Sequence, residues 1–203
     1  MQTAVLPQAL LLLIGAYCLG SVSFAVLVSR LMRLPDPRGY GSGNPGATNV
    51  LRSGKKLAAA LTLLGDGGKG WLAVWLTASF EPSAVAAAAG LAAFLGHLYP
   101  LFHRFRGGKG VATAAGVLLG LNLWLGAGTL ATWVIIAAFL RYSSLAALVA
   151  AAFAAAFSVV LLGVGEEAVA VIAMALLLVW RHKDNIARLA AGTEPRLGTR
   201  KPG

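Results

Sequence analysis

At 203 residues, 58% hydrophobic and only 12% charged, with a mean hydropathy of +0.77, the chain lacks the roughly 25% charge of a soluble domain. Its net charge of +10 does not point to nucleic acid, because the 17 Lys and Arg sit in a few polar islands that flank apolar runs, as expected beside an anionic leaflet. The single cysteine, Cys18, lies inside the first apolar run, excludes an intramolecular disulfide and reads as packing.

The first apolar run has no positive n-region and is too long for a signal peptide, so it reads as a true span over about 7–31, closed by Arg30 and Arg33. A second span covers about 57–80 and ends at Glu81-Pro82. Within it, Asp66 and Lys69 stand i, i+3 on one helix face, and an ionisable pair at that depth should face the protein interior and support the site. A third span covers about 84–102. Residues 111–140 carry no charge; as one helix they would reach roughly 45 Å, well beyond a ~30 Å hydrocarbon core. Asn122, Gly126 and Gly128 mark a turn near the middle, giving spans four and five. Spans six and seven cover about 144–162 and 168–180. The spans are rich in Ala and Gly, and Gly116 and Gly120 give a small-residue spacing suited to close helix packing.

Lys and Arg occur at 30–56, 104–109, 141 and 181–201, plus Lys69, while the connections near 80–83, 122–128 and 163–167 have none. The positive-inside rule then places the N-terminus outside and the C-terminus in the cytoplasm. The expected fold class is an all-α polytopic membrane protein, a compact bundle of about seven transmembrane helices. A five-span version with some segments dipping keeps the same parity. Residues 1–203 form one integral membrane domain, and 196–203 read as a solvated tail.

Three islands then share the cytoplasmic face. The first runs Gly41-Ser42-Gly43-Asn44-Pro45-Gly46-Ala47-Thr48-Asn49 and adds Arg52, whose planar fork suits a phosphate. In the second, Gly107, Gly108 and Gly110 free the backbone around Lys109, and a helix beginning near Val111 and Thr113 aims its N-terminal dipole at the same anion. This is not a Walker A loop, since Gly110 stands where Ser or Thr is required. In the third, His182, Asn185 and Arg188 form a polar stripe on an interfacial helix; His182 is a candidate base or phosphate donor, with a surface histidine as the bland alternative. For His97, at a span end, structural and functional roles stay open. No His-x4-Asp, no Asp-rich array and no cluster of His, Cys or carboxylates suited to a metal occurs.

Together these islands resemble the bacterial acyl-phosphate:glycerol-3-phosphate acyltransferases of PlsY type, over nearly the whole chain: Gly41-Ser42-Gly43-Asn44 to Arg52, His97 through Gly107-Gly108-Lys109-Gly110 to Thr113, and Arg181-His182 through Asn185 and Arg188 to Glu194. The resemblance implies transfer of a fatty acyl group from acyl phosphate to the 1-hydroxyl of sn-glycerol 3-phosphate, giving lysophosphatidate and phosphate, the first step of phospholipid synthesis. It implies a multi-pass protein of the bacterial cytoplasmic (inner) membrane, membrane lipid as surroundings, no cofactor and no metal. Lys109 with Gly107, Gly108 and Gly110, together with Arg52, His182 and Asn185, would grip glycerol 3-phosphate. Ser42, the glycine backbone beside it (Gly41, Gly43) and Ser143 would face the acyl phosphate. Asn44, Thr48, Asn49, Thr113 and Arg188 complete the expected binding surface, and Glu194 would orient Arg52 or Arg188. The base is either His182 or a phosphate oxygen of the donor. Two competitors remain, a small organic-phosphate transporter and a non-catalytic scaffold for acidic lipids. The first needs a midplane site, and the second leaves the Ser, Asn and Thr of the first island unexplained.

Overall fold

The structure, a computed structural model, describes residues 5–198. Among these the chain is helical with no strand: α1 Val5–Gly20, α2 Phe24–Leu31, α3 Ala47–Leu51, α4 Lys56–Ala78, α5 Ser83–Leu98, α6 Val111–Leu121, α7 Leu123–Leu140, α8 Ser143–Leu162, α9 Glu166–Arg181 and α10 Lys183–Ala190. A 3-10 turn at Leu101–His103 follows α5. The expected solvated tail is described only to residue 198, and 199–203 lie outside the described residues. The described part is tied down rather than loose: Leu197 N–H donates to the Arg141 carbonyl (2.6 Å), and Arg196 Nε donates to the Tyr142 hydroxyl (3.1 Å).

The bundle is apolar outside and small-residue inside. Leu64, Trp75, Phe139, Val160 and Leu176 are exposed, whereas Ala25, Ala58, Ala87, Ala89, Ala93 and Ala146 are fully buried. That distribution suits a lipid surround, where close backbone approach replaces a water-driven core. A Cβ on Gly116 would collide with the Gly67 carbonyl on α4, and one on Gly70 with the Thr113 carbonyl on α6. The small residues therefore set the α4–α6 contact. Helix α4 is the hub and packs on α1, α2, α3, α5 and α6.

Three segments are long and apolar enough to cross a membrane, Ser83–His103, Leu123–Leu140 and Ser143–Leu162, and the pair Leu6–Gly20 with Phe24–Leu31, bent by 46°, adds a fourth. The first expected span is thus a broken helix. Helix α4 has the length of a span but carries Asp66 and Lys69. The break in 111–140 falls at Asn122, whose side chain caps α7 by accepting from Trp124 N (2.9 Å) and Leu125 N (3.1 Å). Gly126 and Gly128 do not turn the chain; they lie inside α7, where Gly126 lets it fold back against Leu119.

The broken α1–α2 span frees backbone groups that must be satisfied internally. Lys69 Nζ donates to the Val22 carbonyl (2.6 Å) and to Asp66 Oδ1 (2.7 Å), and Phe24 N–H at the start of α2 points to Asp66 Oδ1 (3.4 Å). Both charges are almost wholly buried, and each complements the helix terminus it faces.

Candidate active site at the polar end of the bundle

All three islands meet at one end. The first loop is wound around a buried Asn49. Its Oδ1 accepts from Ser42 N–H (2.9 Å) and from Arg52 Nη1 (3.4 Å), and its Nδ2 donates to the carbonyls of Pro37 (2.7 Å) and Tyr40 (3.1 Å). Gly41 has φ +61°, and a Cβ there would strike Asn49 Oδ1, so this turn tolerates only glycine. Asn49 is the spindle of the loop; Ser42 and Arg52 are left exposed on its surface. Ser42 Oγ accepts distantly from Asn44 N–H (3.4 Å).

From this loop a chain of hydrogen bonds crosses the other islands. The hydroxyls of Thr48 and Ser143 lie 3.2 Å apart. Next to Ser143, Ser144 donates to Glu194 Oε1 (2.6 Å), which also accepts from Asn185 Nδ2 (2.6 Å). Asn185 Oδ1 in turn accepts from Lys109 Nζ in a short hydrogen bond. Glu194 Oε2 accepts from Arg188 Nε (2.7 Å). Glu194 therefore orients Arg188 and Asn185, and Arg52 is held by Asn49 instead.

The Gly107–Gly110 loop lies on α5 and under α9. Gly108 N–H donates to the His97 carbonyl (3.1 Å). Arg181 donates through Nη2 to the Gly107 carbonyl (3.0 Å) and through Nε and Nη2 to the Gly108 carbonyl (3.2 and 3.1 Å). A Cβ on Gly108 would collide with His97 Nε2 and approach the Pro45 carbonyl of the first loop. Gly110, with φ +84°, turns the chain into α6. The first N–H groups of α6 have no helical acceptor, as at every helix start.

Electrostatics follow from this packing. Burial lowers Lys109 from the ordinary lysine value to about 8; Glu194 opposes the shift, and Arg188 and Arg181 add to it. Burial likewise lowers His182 to about 4, against its hydrogen bond with the Leu178 carbonyl and with help from Lys109. Nδ1 and that carbonyl are 2.8 Å apart, so Nδ1 carries the proton and Nε2 is left as an acceptor on a neutral ring. His182 is buried, not the surface histidine of the bland alternative. Burial pulls the Glu194 carboxyl upward, but hydrogen bonds from Ser144, Asn185 and Arg188 outweigh it and hold it below the ordinary value.

Two expected binding residues face inward: Asn49 is buried at the centre of the first loop, its amide engaged by Ser42, Pro37, Tyr40 and Arg52, and Thr113 lies beneath the second. Thr113 is fully buried, with its hydroxyl 3.2 Å from His97 Nδ1, so it supports the loop from within and does not line the surface. The register of α6 explains this: its first turn packs on α4 at Gly70, and that turns Thr113 inward. Two contributors have roles that the sequence does not assign: Arg181, present in the third island only as part of its motif, and Ser144. Arg181 stands among several Lys and Arg, and nothing local marks it as the one that reaches back 73 residues. Ser144 is indistinguishable from Ser143 until the helix register is known. Among the described residues no group of three or more His, Cys, Asp or Glu is suited to a metal.

Fold and site together define an integral membrane protein that gathers glycine N–H groups, cations and amides at one end of its bundle. Residues 10–192 match the family model for glycerol-3-phosphate acyltransferase. The glycerol-3-phosphate acyltransferase of Ralstonia nicotianae is 63% identical over 193 residues, covering 93% of each chain, and that of Cupriavidus taiwanensis is 62% identical, covering 95% of this chain and 98% of its own. A crystal structure of PlsY, an integral membrane glycerol 3-phosphate acyltransferase, in its glycerol 3-phosphate form superposes with a TM-score of 0.89 at 39% identity, over 95% of this chain and 96% of that one. Its lysophosphatidic acid form gives 0.87. The chain belongs to the glycerol-3-phosphate acyltransferase family.

Proposed function

We propose that the whole chain, 1–203, is one membrane enzyme moving a fatty acyl group from acyl phosphate to the 1-hydroxyl of sn-glycerol 3-phosphate. The observation that carries this is the run of contacts that joins all three islands into one surface: Thr48 to Ser143, and from the adjacent Ser144 through Glu194 and Asn185 to Lys109. The solved relative's glycerol 3-phosphate and lysophosphatidic acid forms correspond to acceptor and product of this reaction.

Both substrates are phosphates, so the main task is to hold two anions together and stabilise the charge that develops between them. Lys109, Arg52, Asn185 and the N–H groups of the Lys109 loop other than that of Gly108 take glycerol 3-phosphate. Ser42, the Gly41 and Gly43 backbone and Ser143 face the donor. The 1-hydroxyl oxygen bonds to the acyl carbon, the bond from that carbon to the phosphate oxygen breaks, and phosphate leaves. A mixed anhydride carries its own good leaving group, so no covalent enzyme intermediate is required. With a pKa near 4, His182 is a poor base; a donor phosphate oxygen takes the hydroxyl proton, and His182 Nε2 orients the hydroxyl.

We place the site on the cytoplasmic face of a bacterial inner membrane, with the N-terminus outside and seven crossing segments: the α1–α2 pair, α4, α5, α6, α7, α8 and α9. The clustering of Lys and Arg in the connections at the site end, and its lack at the other end, supports that orientation. With 11 residues, α6 is the shortest of these segments. An assay of the purified protein with glycerol 3-phosphate and either palmitoyl phosphate or palmitoyl-CoA tests the donor. Lysophosphatidate is expected from the phosphate alone.

A further inference from the structure

Beneath the glycine loop lies a buried ionic cluster with no place in the chemistry above. Lys69 Nζ has three hydrogens and three acceptors: Asp66 Oδ1 (2.7 Å), the Val22 carbonyl (2.6 Å) and His97 Nδ1 (3.0 Å). An ammonium only donates, so His97 Nδ1 accepts and the imidazole proton sits on Nε2. Thr113 Oγ1 (3.2 Å) and Asp66 Oδ1 (3.5 Å) are the other groups at Nδ1. The ring is thereby fixed, with Nε2 under Gly108, where a Cβ would collide with it. The backbone of the same histidine takes the Gly108 N–H. From the opposite side Arg181 holds the Gly107 and Gly108 carbonyls, while its guanidinium carbon lies 6.0 Å from the Tyr99 ring centre.

A trans peptide is planar, with C=O and N–H pointing opposite ways. Holding a carbonyl therefore aims the next N–H. The Gly107–Gly108 peptide is engaged at both ends, its oxygen by Arg181 and its N–H by His97. The Gly108 oxygen is also on Arg181, so the Lys109 N–H points away from Arg181.

We propose that Asp66, Lys69, His97 and Arg181 are positioning residues that set the affinity for glycerol 3-phosphate by fixing the peptide planes of the Gly107–Gly110 loop. This rests on the assignment of that loop to glycerol 3-phosphate. It explains why a charged pair is retained inside an apolar bundle, where its cost is high. It also explains the bend of α1–α2: the freed Val22 carbonyl is the third acceptor that fixes Lys69.

His97→Leu removes the acceptor at Nδ1 yet leaves Lys69 its carboxylate and carbonyl, so the pair stays neutralised. His97→Asn returns an acceptor near the same place. Arg181→Lys keeps a charge at the end of α9 but loses the fork. The measurement is KM for each substrate and kcat, on full-length protein in proteoliposomes. His97→Leu and Arg181→Lys are expected to raise KM for glycerol 3-phosphate about tenfold, with KM for acyl phosphate unchanged within about twofold. His97→Asn is expected to recover most of the difference. A loss confined to kcat, with both KM values unchanged, is what a smaller folded fraction produces, and it would overturn the inference, as would an equal rise in both KM values. If His97→Leu does not fold, Arg181→Lys and His97→Asn decide between the same outcomes. Lys109→Ala separates two failures. If it also leaves KM for glycerol 3-phosphate unmoved, the assignment of the loop falls and this inference with it; if it raises KM while the other variants do not, only the inference falls.

Discussion

Lys109 is the residue whose ionisation bears most directly on binding. With a pKa lowered by burial to about 8, it is charged below that pH and neutral above it. A phosphate monoester has its second ionisation near pH 6, so cation and dianion coexist between the two values. KM for glycerol 3-phosphate should therefore rise above pH 8, by up to about tenfold per pH unit. Lys109→Arg, which keeps its charge, should flatten that rise in a steady-state pH series. A flat profile in the parent enzyme would remove Lys109 from the phosphate. His182 supplies a second test at this scale. His182→Gln keeps an acceptor and should retain about a tenth or more of kcat, whereas loss of a true general base costs 100-fold or more. Kinetics of the purified variant distinguish the two.

At the scale of elements, glycines decide where helices touch and where the loop can lie. Gly116→Leu drives a side chain into the Gly67 carbonyl on α4 and should cost at least the 1–3 kcal/mol typical of overpacking, visible as a lower midpoint of thermal unfolding in detergent. Gly108→Ala places a methyl against His97 Nε2 and the Pro45 carbonyl, so it should abolish activity while leaving the bundle folded by circular dichroism. The helices themselves are legible in the sequence because apolar length and the placement of Arg and Lys mark them directly. The break at Asn122 is legible as well, since an uncharged run of that length exceeds one span. The bend at residues 21–23 is not, because its cause lies 42 to 47 residues away, in Asp66 and Lys69. Of the candidate site, the glycine loops, Lys109, Asn185 and Arg52 announce themselves through residue type. The inward turn of Thr113 and the reach of Arg181 depend on helix register and on contacts between distant segments, which composition and spacing do not carry.

At the scale of the whole molecule, the charge asymmetry between the two ends of the bundle supports the proposed topology, with the site end in the cytoplasm. Val164, in the α8–α9 turn, is 92% exposed, and Thr193, beyond α10, is exposed at the site end. In a Cys18→Ala background, Thr193→Cys should react with an impermeant thiol reagent only after the cytoplasmic side is opened, and Val164→Cys should react from outside. The central claim is that one surface binds two phosphates and transfers an acyl group between them. Its most direct test is acyl transfer by the purified protein, following lysophosphatidate and free phosphate with palmitoyl phosphate and, in parallel, with palmitoyl-CoA. Product and phosphate in equal amounts from the acyl phosphate alone, lost in Lys109→Ala and in Arg52→Ala, is the predicted result. A folded protein that gives no product from palmitoyl phosphate, or that prefers the CoA ester, contradicts it.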